Sequence, residues 1–191
     1  MHPLLAWARL LGVAAGYAAA FAAAQRVLPF SLASPWFVFV AMVCVLGLAF
    51  VAQPIVMLRM PGALRAIRPW EAGGGPYRAL GVAAYGTLLR RTPLRLFNRD
   101  VYLRAGLRDT PRVVAELEAA EASHFWAAIL VVPYMAYLAR HGLWAPLAWI
   151  ALAQAFINVY PIMHLRLTRH RFGVLLSKRL SQRQKGLIPA G

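Results

Sequence analysis

Acidic residues are scarce in this chain. Six occur among 191 residues, against 21 lysines and arginines, for a net charge of +15. That scarcity excludes carboxylate-rich metal centres. A di-iron bundle needs two Glu-x-x-His motifs and two further carboxylates; here there is one such motif, Glu121 to His124. Cysteine is scarcer still. The single Cys44 has no partner for an intrachain disulfide or a cysteine zinc site. No His-Glu-x-x-His and no Gly-x-Ser-x-Gly occurs, so neither a zinc protease nor a serine-elbow hydrolase is indicated. Gly73, Gly74 and Gly75 are not followed by Gly-Lys-Ser/Thr and do not make a phosphate loop. No bound metal or cofactor is expected.

Apolar residues, by contrast, are abundant at 61% of the chain, where soluble domains average about 45–50%. The charges are unevenly distributed, with long stretches carrying none. This pattern reads as an all-α polytopic membrane protein forming one domain over residues 1–191, with four transmembrane helices. The expected spans are residues 3–24, 36–58, 125–140 and 143–165. Gly12, Gly16 and many alanines in the first suit close helix packing, and its length argues for a retained helix over a cleaved signal. Trp36 fits an interfacial anchor. Residues 59–112 hold eleven arginines and are too polar to span. They are expected to form interfacial or re-entrant helices with a glycine-rich hinge. Residues 166–191 read as a basic cytoplasmic tail.

Orientation follows from the positive charges. With the long loop and both termini on the cytoplasmic side, nineteen of 21 basic residues lie there, and Arg26 and Arg140 remain outside. A multi-pass protein of a bacterial-type inner or cell membrane is expected, with membrane lipids as partners. Because the basic residues flank apolar spans, they read as headgroup or phosphate contacts and not as a nucleic-acid surface.

Half of the acids, Glu116, Glu118 and Glu121, fall within six positions, with His124 just beyond. Glu121 and His124 are three apart and share a helical face where polar sequence gives way to apolar sequence. That makes them a candidate acid–base pair. The plainer reading is an acidic helix start after Thr110-Pro111, with Thr110 or Asp109 as cap. Ser123 adjoins His124 but diverges from it on a helix. Gln154 and Asn158 are four apart, on one face of the last span. Their plainer role is interhelical hydrogen bonding, worth about 0.6 kcal/mol each. For His164 the plainer role is headgroup contact.

Three motifs carry a resemblance: Ala120-Glu121-Ala122-Ser123-His124-Phe125, then Asn158-Val159-Tyr160-Pro161-Ile162, then Arg166-Leu167-Thr168-Arg169-His170-Arg171. Together they resemble the glycosyl-4,4′-diaponeurosporenoate acyltransferase family, which carries out the fatty-acylation step ending staphyloxanthin assembly. Trp70-Glu71 with Tyr77 and Gly81 resembles the family's aromatic-Glu segment more loosely. The resemblance runs from about residue 70 to 176. The stretch at Gly86-Thr87 departs from the family's Trp-Lys.

The resemblance implies an O-acyltransferase that takes a fatty acyl group, from acyl-CoA as co-substrate, to a hydroxyl of a lipophilic acceptor such as a carotenoid glycoside. On that reading His124 is the base and Glu121 holds its tautomer. Asn158 or Arg166 would donate to the oxyanion. Arg166, Arg169 and Arg171 would meet the CoA phosphates, with Glu71 and Tyr77 also substrate-binding. These residues are expected to converge at one depth, at the cytoplasmic ends of the last two spans. The competing class is a non-catalytic membrane module that binds anionic lipid or scaffolds pigment-pathway enzymes. Such a module needs the arginines but not Glu121 and His124. The sequence leaves the acceptor, the acyl length and the oligomeric state open.

Overall fold

A computed structural model describes residues 3–27, 31, 34–56, 59–72, 74–92 and 110–184. All regular structure among them is helical: α1 (Pro3–Val27), α2 (Pro35–Val56), α3 (Gly62–Arg65), α4 (Pro69–Ala72), α5 (Gly75–Ala79), α6 (Val82–Arg91), α7 (Thr110–Arg140), α8 (Trp144–Gln154) and α9 (Tyr160–Gln184). A π-helical turn, Ala155–Val159, joins α8 to α9. Its cause is two residues downstream. Pro161 has no N–H for the carbonyl four residues back and its ring clashes there, so the helix widens ahead of it.

The chain groups into two compact units. One is Met1–Met60 with Ala122–Pro161; the other is Pro61–Glu121 with Ile162–Gly191. The first unit packs α1 on α2 and α2 on α8. Gly47 on α2 has no side chain where the Tyr17 hydroxyl of α1 sits. Its core is Val38, Met42, Val131, Leu138 and Ile150. Phe37 adds a tilted ring contact to Tyr134 at 5.6 Å, and the Trp126 indole donates to the Arg59 carbonyl at 3.1 Å.

Around that core the surface is greasy. Trp36, Phe39, Leu130, Trp144, Trp149 and Leu152 are all exposed. An apolar surface of this extent is unusual on a water-soluble monomer. Two helical stretches among the described residues, Arg112–Arg140 and Trp144–Lys178, are long and apolar enough to cross a membrane. In each, 28% of the most apolar window is buried, whereas the core helix of a soluble protein is mostly buried. The apolar stretches Leu11–Ala20 and Trp36–Ala49 are shorter. Two of the four expected spans therefore meet the length and hydropathy of a crossing. The last helix also outruns expectation. It continues through the basic residues to Gln184, because arginine, leucine and lysine are good helix formers and outweigh the single interior glycine, Gly173.

The second unit is built from short pieces. Within the expected loop region, α3 to α6 form one after another. The amphipathic stretch expected from Tyr77 to Leu89 is broken at Leu80-Gly81, where Gly81 takes a left-handed φ of 70°. Val113, Leu117 and Leu165 form this unit's core, with Ala120 and Phe172 packed against it. Gly86 has a visible reason to carry no side chain. A Cβ there would lie 2.6 Å from the His164 ring, and Tyr85 meets the same ring edge-on at 6.3 Å. Asp109, one of the two expected caps of α7, lies outside the described residues.

Candidate active site

In the first unit, His124 Nδ1 lies 3.3 Å from Asn158 Oδ1. The same ring hydrogen-bonds the Ile157 main chain, whose carbonyl loses its helical donor at Pro161. Behind the imidazole runs a chain of amides. Asn158 donates through Nδ2 to Gln154 Oε1, and Gln154 donates through Nε2 to the Ala128 carbonyl at 3.1 Å. Asn158 is 1% exposed and Gln154 8%.

The polarity of this chain is set from its far end. A backbone carbonyl only accepts, so the Gln154 amide must turn its NH2 toward Ala128 and its oxygen toward Asn158. Asn158 must then donate to Gln154 and turn its own oxygen toward His124. An oxygen there calls for a ring N–H, so the Asn158 contact favours the neutral tautomer with its proton on Nδ1 and its lone pair on Nε2. This is the arrangement a general base needs, with an amide where a serine protease triad has a carboxylate.

The second unit gathers Glu71, Tyr77, Glu121, Arg166 and Arg169 in one buried ion cluster. Arg166 Nε and Nη2 donate to the two oxygens of Glu71 at 3.0 and 2.7 Å. Nη1 donates to Glu121 at 2.7 Å and to the Leu64 carbonyl at 2.6 Å, and Nη2 also reaches the Ala66 carbonyl at 2.9 Å. All five guanidinium N–H groups are thereby used. Arg169 donates to Glu118 and to the Arg65 carbonyl at 2.7 and 2.6 Å, and its Nη2 pairs with Glu121 at 3.1 Å. Its Nε has no partner among the described residues.

Glu71 is equally saturated. Besides Arg166 it accepts from the Arg68 amide at 2.7 Å and the Tyr77 hydroxyl at 2.8 Å, which fills both lone pairs of each oxygen. Burial alone would push its carboxyl up. The hydrogen bonds from Arg166, the Arg68 amide and Tyr77, with the Arg166 charge, outweigh that and hold it below the usual carboxylate value. Burial first, then the bond to Glu71, pushes the Tyr77 phenol up to about 12. The raised value favours the folded state below pH 10 and that contribution is lost as pH approaches 12. The lowered Glu71 favours folding above the carboxylate range and its contribution is lost as pH falls through its folded value. Ultraviolet titration of the wild type against Tyr77→Phe should therefore show one phenol ionising near 12 that the variant lacks.

Two expected roles change on this geometry. Glu121 turns its oxygens to Arg166 and Arg169, while Asn158 meets the imidazole. Arg166 has no N–H to spare for an oxyanion, and it is 8% exposed, with Arg169 at 7%. Of the three tail arginines expected to meet phosphates, Arg171 is the exposed one. The acidic cluster is divided between inside and outside: Glu116 makes a surface pair with Arg112 at 2.9 Å, worth about 0.3–0.5 kcal/mol, while Glu118 and Glu121 serve the buried arginines. Gln154 gains a place in the site. Its shared face with Asn158 was visible in the spacing, but the Ala128 carbonyl that orients it was not.

Residues 62–178, more than half of the chain, match the family described as CrtO, glycosyl-4,4′-diaponeurosporenoate acyltransferase. The protein belongs to this family. Its membership places it among acyltransferases of carotenoid biosynthesis, and all the residues of both clusters named above, from Leu64 to Arg169, lie inside the matched segment. No curated protein and no solved structure matches the chain.

Proposed function

We propose that this family member is a membrane-embedded O-acyltransferase. It moves a fatty acyl group from acyl-CoA to a hydroxyl of a lipophilic acceptor, such as a carotenoid glycoside. The observation that carries the reading is the amide chain from Ala128 through Gln154 and Asn158 to His124. A buried array that orients one imidazole has a clear use if that imidazole moves a proton.

The chemistry runs as follows. His124 Nε2 takes the proton of the acceptor hydroxyl as its oxygen attacks the thioester carbonyl. The tetrahedral intermediate collapses, the carbon–sulfur bond breaks, and the CoA thiolate receives the proton from the imidazolium. One ester and one free thiol result. Asn158 and Gln154 are positioning residues that act through the ring. The buried ion cluster of Glu71, Glu121, Arg166 and Arg169 is a brace for the second unit, joining residues distant in sequence.

The apolar exposed surface and the two long apolar helices support insertion in a bilayer. The charge distribution supports both termini and the 59–112 segment on the cytoplasmic side, where acyl-CoA is supplied. The test is direct. Purified protein in detergent receives labelled acyl-CoA and a total lipid extract, and labelled products are identified by mass. A new acyl ester of a hydroxyl lipid supports the reading. No labelled lipid above that from mock-purified membranes overturns it, and favours the non-catalytic module.

A further inference from the structure

Within the second unit lies a cleft of about 500 Å³ that adjoins the ion cluster through Tyr77. One wall is a single stripe of α9: Leu167, His170, Arg171, Val174 and Leu175, at the i, i+3, i+4, i+7, i+8 spacing of one helical face. The opposite wall brings Tyr77 and Arg78 of α5, with Ala72, Gly74 and Ala83 around them. Gly74, at a left-handed φ of 64°, lets the chain turn against this wall, where a Cβ would already touch Leu167 at 3.6 Å.

The cleft is chemically two-sided. Arg78 and Arg171 supply positive charge and, with His170, hydrogen-bonding groups. Leu167, Val174 and Leu175 supply an apolar bed, with Val174 39% and Leu175 47% exposed. None of the described lining residues is acidic. A site of this size takes a drug-sized group. Two arginines beside an apolar surface suit a phosphate carried on an uncharged stem.

We infer that this cleft binds the phosphate-bearing portion of an amphiphile, with Arg78, His170 and Arg171 on the phosphate and Leu167, Val174 and Leu175 on the stem. The inference rests on the acyltransferase reading for its preferred source, the diphosphate and pantetheine part of the acyl donor. An anionic phospholipid headgroup presents the same chemistry. The cleft takes over the anion-binding role first expected of Arg166 and Arg169, and it adds Arg78 and His170.

The experiment measures equilibrium binding to the full-length protein in neutral detergent, with two probes. One is CoA; the other is phosphatidylglycerol in mixed micelles. The variants are the double Arg78→Gln/Arg171→Gln and, separately, Val174→Asp, which places a carboxylate on the exposed rim of the same cleft. Both are surface changes, and unaltered melting checks that the fold is intact. The expected result is a loss of CoA affinity of about tenfold or more in each variant, with a weaker salt dependence in the double variant. A loss confined to phosphatidylglycerol keeps the phosphate site and assigns it to a headgroup. Unchanged affinity for both probes overturns the inference. Binding is read without turnover, so wild type that binds CoA through these residues yet makes no ester would sink the acyltransferase reading and leave the site standing. Ester formation with unchanged binding in the variants would do the reverse.

Discussion

Replacing His124 with glutamine is expected to lower acyl transfer by a factor of about 10²–10⁴, the usual share of a positioned general base. The glutamine side chain retains an NH2 that can meet the Asn158 oxygen, so the amide chain keeps a terminus and the fold is preserved. What is removed is the lone pair on Nε2. The readout is product formation per folded protein, with melting temperature as the control for packing. Asn158→Leu should act in the same direction but less severely. It leaves the imidazole in place and removes the oxygen that selects its tautomer. Its effect should fall on kcat more than on KM, because Asn158 touches the ring and not the substrate. A His124→Gln protein that acylates at the wild-type rate would remove the base from the mechanism.

Arg166→Met should be the most damaging single change to stability. It strands Glu71 and Glu121 without their main counter-charge, and breaking a buried pair from one side costs about 3–5 kcal/mol. Arg166→Lys is not expected to rescue it. A lysine has three donors on a point charge, while the site uses five in a planar fork. The partner test is the cycle with Glu71→Gln. With Glu71 neutralised, the further loss from Arg166→Met should be smaller by about 1–3 kcal/mol, the coupling expected within one ion network. Strict additivity would mean that the two side chains do not share their energy, and that the brace lies elsewhere.

The two variants probe different things, and the sequence revealed them unequally. The pair at Gln154 and Asn158 was legible because a spacing of four residues sets a common helical face whatever the surroundings. Glu121 and His124, three apart, invited pairing by the same rule. Yet the Glu121 oxygens are held by arginines 45 and 48 positions further along. Helical spacing says which groups share a face. It does not say which distant group competes for them, and a guanidinium at 2.7 Å outweighs what a local face offers.

Glu71 was flagged through the family pattern alone. Nothing local announced that Arg166, 95 residues away, would grip both of its oxygens. The cleft was the least visible feature. It depends on the turn at Leu80-Gly81 and on α9 running past the apolar span, and hydropathy treats those basic residues as a tail. Arg78 was one arginine among eleven in a polar stretch, and only packing distinguishes it. Hydropathy marks four apolar runs along the chain, and among the described residues two helical stretches combine that apolarity with the length of a crossing.

The central claim is that a chain of buried amides holds the His124 proton on Nδ1 and leaves Nε2 as the base. Nitrogen-15 magnetic resonance of the histidine-labelled protein tests this most directly, with His124→Gln identifying the signal. The account predicts a neutral ring protonated at Nδ1, with Gln154→Leu weakening that preference. A ring protonated at Nε2, in a protein that still transfers acyl groups, would contradict it.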